Sequence, residues 1–123
     1  MDKQLADDFV RAAKTVLKVM HVQLVVNAHE ATWGSGYEVT VWDGKPADAH
    51  FSFTISLAEV SRSGVPLGFY VEGSDLDPLR GHDVEVTRTK KPRKALIAGM
   101  GWILGNLLKR ADRELELIEG IEG

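Results

Sequence analysis

Glu38, Trp42, His50, Tyr70 and Glu72 carry the side chains in this chain best suited to chemistry or to gripping a ligand. Each falls on the polar side of a stretch that alternates with period two. From Tyr37 to Trp42, the residues Tyr37, Val39 and Val41 form one row and Glu38, Thr40 and Trp42 the other. From His50 to Leu57, the residues Phe51, Phe53, Ile55 and Leu57 alternate with His50, Ser52, Thr54 and Ser56. A register that keeps apolar rows in line pairs Val39 with Phe51 and Thr40 with His50. In the next hairpin it pairs Ser52 with Tyr70 and His50 with Glu72. All five residues then share one sheet face, with Glu85 nearby. A histidine beside a carboxylate is a general-base arrangement. A solvated or partner-binding sheet carries the same pattern, and that plainer reading is the one expected.

Other reactions find less support. With no cysteine, thiol nucleophiles, disulfides and Cys-based zinc sites are excluded. The four histidines (His21, His29, His50 and His82) lack the i+2, i+3 or i+4 spacing of paired ligands. His21 and His29 would lie about 26 Å apart along an extended strand, so neither a metal nor a cofactor is expected. Gly99-Met-Gly-Trp-Ile-Leu-Gly105 lies inside a helical period rather than between strand and helix, which excludes a nucleotide fingerprint.

A second cluster is electrostatic. Residues 84–110 hold 7 basic and 1 acidic residue, or +6, inside a chain of net charge −3. Arg88, Lys90, Lys91, Arg93 and Lys94 gather where a strand gives way to a helix, and would suit an anion or a nucleic acid. The acidic remainder and the lack of interleaved aromatics make nucleic acid the less favoured partner. These cations oppose the helix dipole. At the far end Asp112, Glu114, Glu116 and Glu119 oppose it again, so two antiparallel subunits would bring the basic end of one helix to the acidic end of the other.

That helix is expected over 92–118, with Pro92 in its first turn and Gly120 just past its end. Leu96, Ile97, Met100, Ile103, Leu104, Leu107, Leu108, Ala111, Leu115 and Ile118 form one broad apolar face, assigned to the core. Trp102 points nearly opposite, with Ala98 close to it and Gly101 and Gly105 on the flank. These four make a candidate partner-binding surface; alternatively, another stretch of the chain crosses closely over the glycines. The apolar run of roughly 14 residues is too short to span a bilayer, so no membrane is expected.

The elements that position these residues follow from periodicity and punctuation. A first helix begins at the Asp2 cap, allows an Asp7–Arg11 pair, and buries Leu5, Phe9, Ala12, Ala13, Val16, Val19 and Met20. Residues 22–28 alternate like a strand, although no turn residue separates them from the helix, which would otherwise reach Asn27. Further strands follow at 37–42, 50–57, 65–71 and 83–89. Pro66 and Gly68 suggest an edge or bulge, and 73–81 reads as a loop. The expected fold is one α+β domain over 1–123: an N-terminal helix, a four- or five-stranded antiparallel sheet and a long C-terminal helix, both helices on one sheet face. The expected function is a non-enzymatic protein–protein interaction module of adaptor or inhibitor type. It is expected to be cytoplasmic, because the acidic opening stretch lacks the features of a secretion signal, and to form a homodimer through the C-terminal helix. Anion or nucleic-acid binding through 88–94, and an enzyme built on the His–carboxylate face, are the alternatives.

Overall fold

The computed structural model describes residues 1–31, 36–44, 51–58, 68–75 and 83–122. Helix α1 (Lys3–Val19) leads into a five-stranded antiparallel sheet of β1 (Val25–Glu30), β2 (Tyr37–Trp42), β3 (Phe51–Ala58), β4 (Gly68–Asp75) and β5 (Asp83–Thr89). Helix α2 (Pro92–Glu122) closes the chain. The strands lie in sequence order, so each pairs with the next. The fold is the expected α+β arrangement. In it α1 packs on β1 and β2 while α2 packs on β3, β4 and β5.

Local chemistry sets the boundaries. The Asp2 carboxylate accepts from the Leu5 N–H at 2.8 Å, which caps α1. At the other end His21 takes a left-handed conformation, φ 56°, and its N–H donates to Lys18 O while Val22 N–H donates to Leu17 O. This is the double bond that glycine usually provides past a helix end. It shows how α1 stops at Val19 rather than running to Asn27. Arg11 pairs with Asp8 at 2.9 Å, one position later than the expected Asp7. The buried residues of α1 are Ala6, Phe9, Ala13 and Leu17, whereas Ala12, Val19 and Met20 are exposed. The helix is therefore turned from the expected face.

Phe51, Phe53 and Ile55 of β3 and Val39, Val41 and Val71 beside them form the fully buried centre. Phe9 meets Phe69 edge-on at 5.4 Å between ring centres, tying α1 to β4. Strand β4 runs on through Gly73 to Asp75, where a loop is expected from the sequence. The bulge lies one strand later. Pairing passes from Val71↔Thr87 to Glu72↔Glu85, leaving Val86 as the extra residue on edge strand β5. The expected helix end at Gly120 also moves, because α2 continues through it.

Candidate functional site

The polar sheet face is built by four pairings. Val25, Asn27 and His29 of β1 lie opposite Trp42, Thr40 and Glu38 of β2. Across the next two pairs Thr40 faces Thr54, and Thr54 faces Glu72. The register expected from the sequence is therefore displaced by four residues: Val39 faces Ile55 rather than Phe51, and Ser56 rather than Ser52 faces Tyr70. His50 and His82 lie outside the described residues, and Glu72 has Thr54 as its β3 neighbour in place of His50.

A different histidine occupies this face. His29 Nδ1 lies 3.0 Å from Glu30 O and 3.5 Å from a Glu38 carboxylate oxygen, and its Nε2 is 2.9 Å from Thr40 Oγ1. The Thr40 hydroxyl continues to Thr54 Oγ1 at 2.9 Å. Because a carbonyl only accepts, Nδ1 carries the proton, and in the neutral ring Nε2 accepts from Thr40. A carboxylate, a histidine and a hydroxyl thus stand in line. Acyl transfer also needs a pair of free N–H donors aimed at a developing oxyanion, and among the described residues the strand backbone beside the line is taken up by pairing. Thr40 lies in the middle of a strand whose pairing occupies the backbone on both sides. The arrangement reads as a cross-strand polar ladder. Its histidine was legible in the sequence, since Val26 and Ala28 pointing inward place Asn27 and His29 outward.

Carboxylates crowd the far side of this face. Burial pushes the Glu72 carboxyl above its ordinary value of 4.5, and a hydrogen bond to Asp83 and the charges of Asp83 and Glu38 add to it. Burial also raises the Tyr70 hydroxyl, helped by Glu72 and Glu85, while Arg88 works the other way. Between the ordinary and the raised value, the folded chain holds a Glu72 proton that the unfolded chain has already released. Its stabilising contribution is full below the ordinary value and is lost as pH rises through the raised one. Glu72→Gln is accordingly expected to melt at a higher temperature than the parent chain at neutral pH. The gap should close in acid, below the ordinary value. Thermal melts across that range check this, and an equal or lower melting point at neutral pH contradicts it. Among the described residues, no three His, Asp or Glu side chains are placed to hold a metal ion.

The basic cluster divides. Arg88 turns to the sheet face, where its Nε donates to Glu85 at 2.7 Å and its guanidinium covers the Tyr70 ring at 4.9 Å. Lys90, Lys91, Arg93 and Lys94 stay exposed around the start of α2.

Helix α2 departs furthest from the sequence reading. The face turned to the sheet carries Ala95, Gly99, Trp102 and Ile103, flanked by Met100. Trp102 is half-buried rather than pointing away. Its indole N–H donates to Ser52 O at 3.1 Å, and its ring fills the space that a side chain at Gly73 would occupy. Gly99 fits against the buried Phe53 ring in the same way. Gly101 and Gly105, by contrast, have no atom from beyond their own stretch of helix within 4 Å of where a Cβ would stand, so among the described residues no backbone crosses over them. On the opposite face Ile97 is 64%, Leu108 71%, Leu115 57% and Ile118 54% exposed. With Gly101, Leu104 and Ala111 these residues form two interleaved series, each repeating every seven positions. The apolar face assigned to the core is thus split: Met100 and Ile103 are buried, Leu96, Leu104 and Leu107 are half-buried against the core, and Ile97, Leu108, Ala111, Leu115 and Ile118 face solvent. The seven-residue spacing was visible in the sequence, but not which face the sheet would take.

An open apolar groove of about 350 Å³ lies beside that row, between Leu5, Phe9 and Ala12 of α1 and Pro92 and Leu96 of α2, with Asp8 and Arg93 at its rim. Among the described residues no helix is long and apolar enough to cross a membrane. No family model, curated protein or solved structure matches this chain.

Proposed function

We propose that this domain is a non-enzymatic protein-interaction module that self-associates through α2. The observation that carries the reading is the heptad row Ile97, Gly101, Leu104, Leu108, Ala111, Leu115 and Ile118, exposed throughout except at the half-buried Leu104. A contiguous apolar face of this length, left uncovered by its own chain, marks an interaction site. Knobs at a and d positions are what a second helix takes up. Gly101 and Gly105 keep their place in the proposed contact, because they stand on or beside the row with open space above them, whereas Ala98 falls one turn from Trp102 on the sheet side and drops out. Trp102 leaves it, since its ring is engaged with the sheet. The test is light scattering after size exclusion at about 100 μM chain, in low salt and in 1 M NaCl. A dimer that survives 1 M salt is expected, because an apolar seam is not screened. A monomer in both conditions overturns the proposal.

Anion or nucleic-acid binding through Lys90, Lys91, Arg93 and Lys94 is the second reading. Its support is that all four side chains are exposed around one helix start whose first turn holds no acid. Against it, Arg88 is engaged with Glu85 and Tyr70, and the adjoining sheet face is acidic. Retardation of DNA or RNA at low salt, abolished when Lys90, Lys91 and Arg93 become Glu, would favour it over the first.

A further inference from the structure

We infer that the α2 row is covered by the α2 of a second copy lying antiparallel, with residue 106 of one copy level with residue 106 of the other. This rests on the self-association just proposed and adds its direction and register.

Direction follows from charge. The start of α2 carries Lys90, Lys91, Arg93 and Lys94, all exposed, and its later turns carry exposed Asp112, Glu114 and Glu116. Both sets oppose the helix dipole. A parallel pair would stack basic on basic, acidic on acidic, and the two dipoles side by side in the same sense. An antiparallel pair sets each basic end along an acidic end and opposes the dipoles. It therefore relieves in the dimer what is unfavourable in the single chain.

Register follows from the layers. Placing 106 opposite 106 seats Ile97 against the partner's Leu115, Gly101 against the partner's Ala111 and Leu104 against the partner's Leu108, and the same three layers recur on the other side of the axis. Gly101 and Ala111 are both small, so the two backbones approach closely there. Sliding one helix by a heptad towards its start leaves Leu115 and Ile118 beyond the partner's helix. Sliding it the other way leaves Ile97 uncovered and carries residues 90–94 past the acidic turns. In the chosen register the turn from Leu115 to Ile118 passes residues 94–97 of the partner. There it lies beside the mouth of the apolar groove formed by Leu5, Phe9, Ala12, Pro92 and Leu96. An exposed apolar turn at one end of the helix thus meets an open apolar groove at the other.

The chain has no cysteine, so single cysteines report the geometry directly. Ile97→Cys and Leu115→Cys are both at exposed positions. A disulfide needs Cα atoms within about 7 Å. In the inferred register the two copies of residue 97 stand about 27 Å apart along the axis. Co-expressed Ile97→Cys and Leu115→Cys chains are expected to cross-link to each other under mild oxidation. Neither should cross-link when expressed alone. Self-cross-linking of Ile97→Cys and of Leu115→Cys would overturn the direction. Failure of the mixed pair, in samples that light scattering shows to be dimers, would overturn the register. A monomer by light scattering instead removes the self-association underneath both.

Discussion

Trp102→Ala is expected to destabilise the domain by about 3 kcal/mol, near the low end of what removing a packed tryptophan costs. The side chain is half-buried, but it covers the bare Gly73 backbone in β4 and ties α2 to β3 through the bond to Ser52 O. Truncation opens the space above Gly73 and leaves that carbonyl without its side-chain donor. A fall of this size is a large part of the stability of a small domain. Urea denaturation checks it: the midpoint should drop while the slope stays unchanged. Trp102→Phe retains one ring while losing the rest of the indole and its N–H, and should fall by less. A Trp102→Ala chain with the parent midpoint would contradict the inward placement of the indole.

Leu108→Glu is expected to do the reverse, leaving the fold intact and abolishing self-association. Leu108 is 71% exposed, the most of any described large apolar residue of α2, so its own chain loses almost nothing. In a two-fold dimer each substitution counts twice. Losing two leucine burials of roughly 2 kcal/mol each weakens the dimer on the order of 10³-fold. Setting two carboxylates near the axis weakens it further. Sedimentation equilibrium reads the dissociation constant, and thermal melts at high dilution read the fold. Parent-like association by Leu108→Glu would remove α2 from the contact.

Much of the fold was legible from period and punctuation alone. The alternation at 37–42 and 51–57 fixed both which residues face the core and that the sheet is antiparallel. The cap at Asp2 and the start at Pro92 stood out for the same local reasons. The register was not legible, because a shift of four residues keeps every side chain on its proper face. Only the geometry of the connection between strands decides among such shifts. Helix α2 presents the related problem of two apolar faces. One wheel holds both the row at 97, 104, 108 and 115 and the set at 95, 99, 102 and 103, and hydrophobicity favours the larger side chains. The sheet takes the smaller set. Gly99 and Ala95 let α2 sit close to Phe53, and Gly73 leaves room for one large ring. Glycine within a strand and glycine within a helix were the signals to weigh together.

Every described side chain of α2 from Leu108 to Gly120 is exposed, so this stretch receives little support from the rest of its own domain. An isolated helix of about 15 residues is marginal in water. In the proposed dimer a partner lying along these turns would hold them as helix, and ordering of the overhang would be one step with association. Helical content by circular dichroism should then rise with protein concentration, and amides beyond Leu108 should exchange fastest at dilution. The domain would thereby respond to its own abundance: at low concentration a small folded body with a fraying tail, at high concentration a rigid pair.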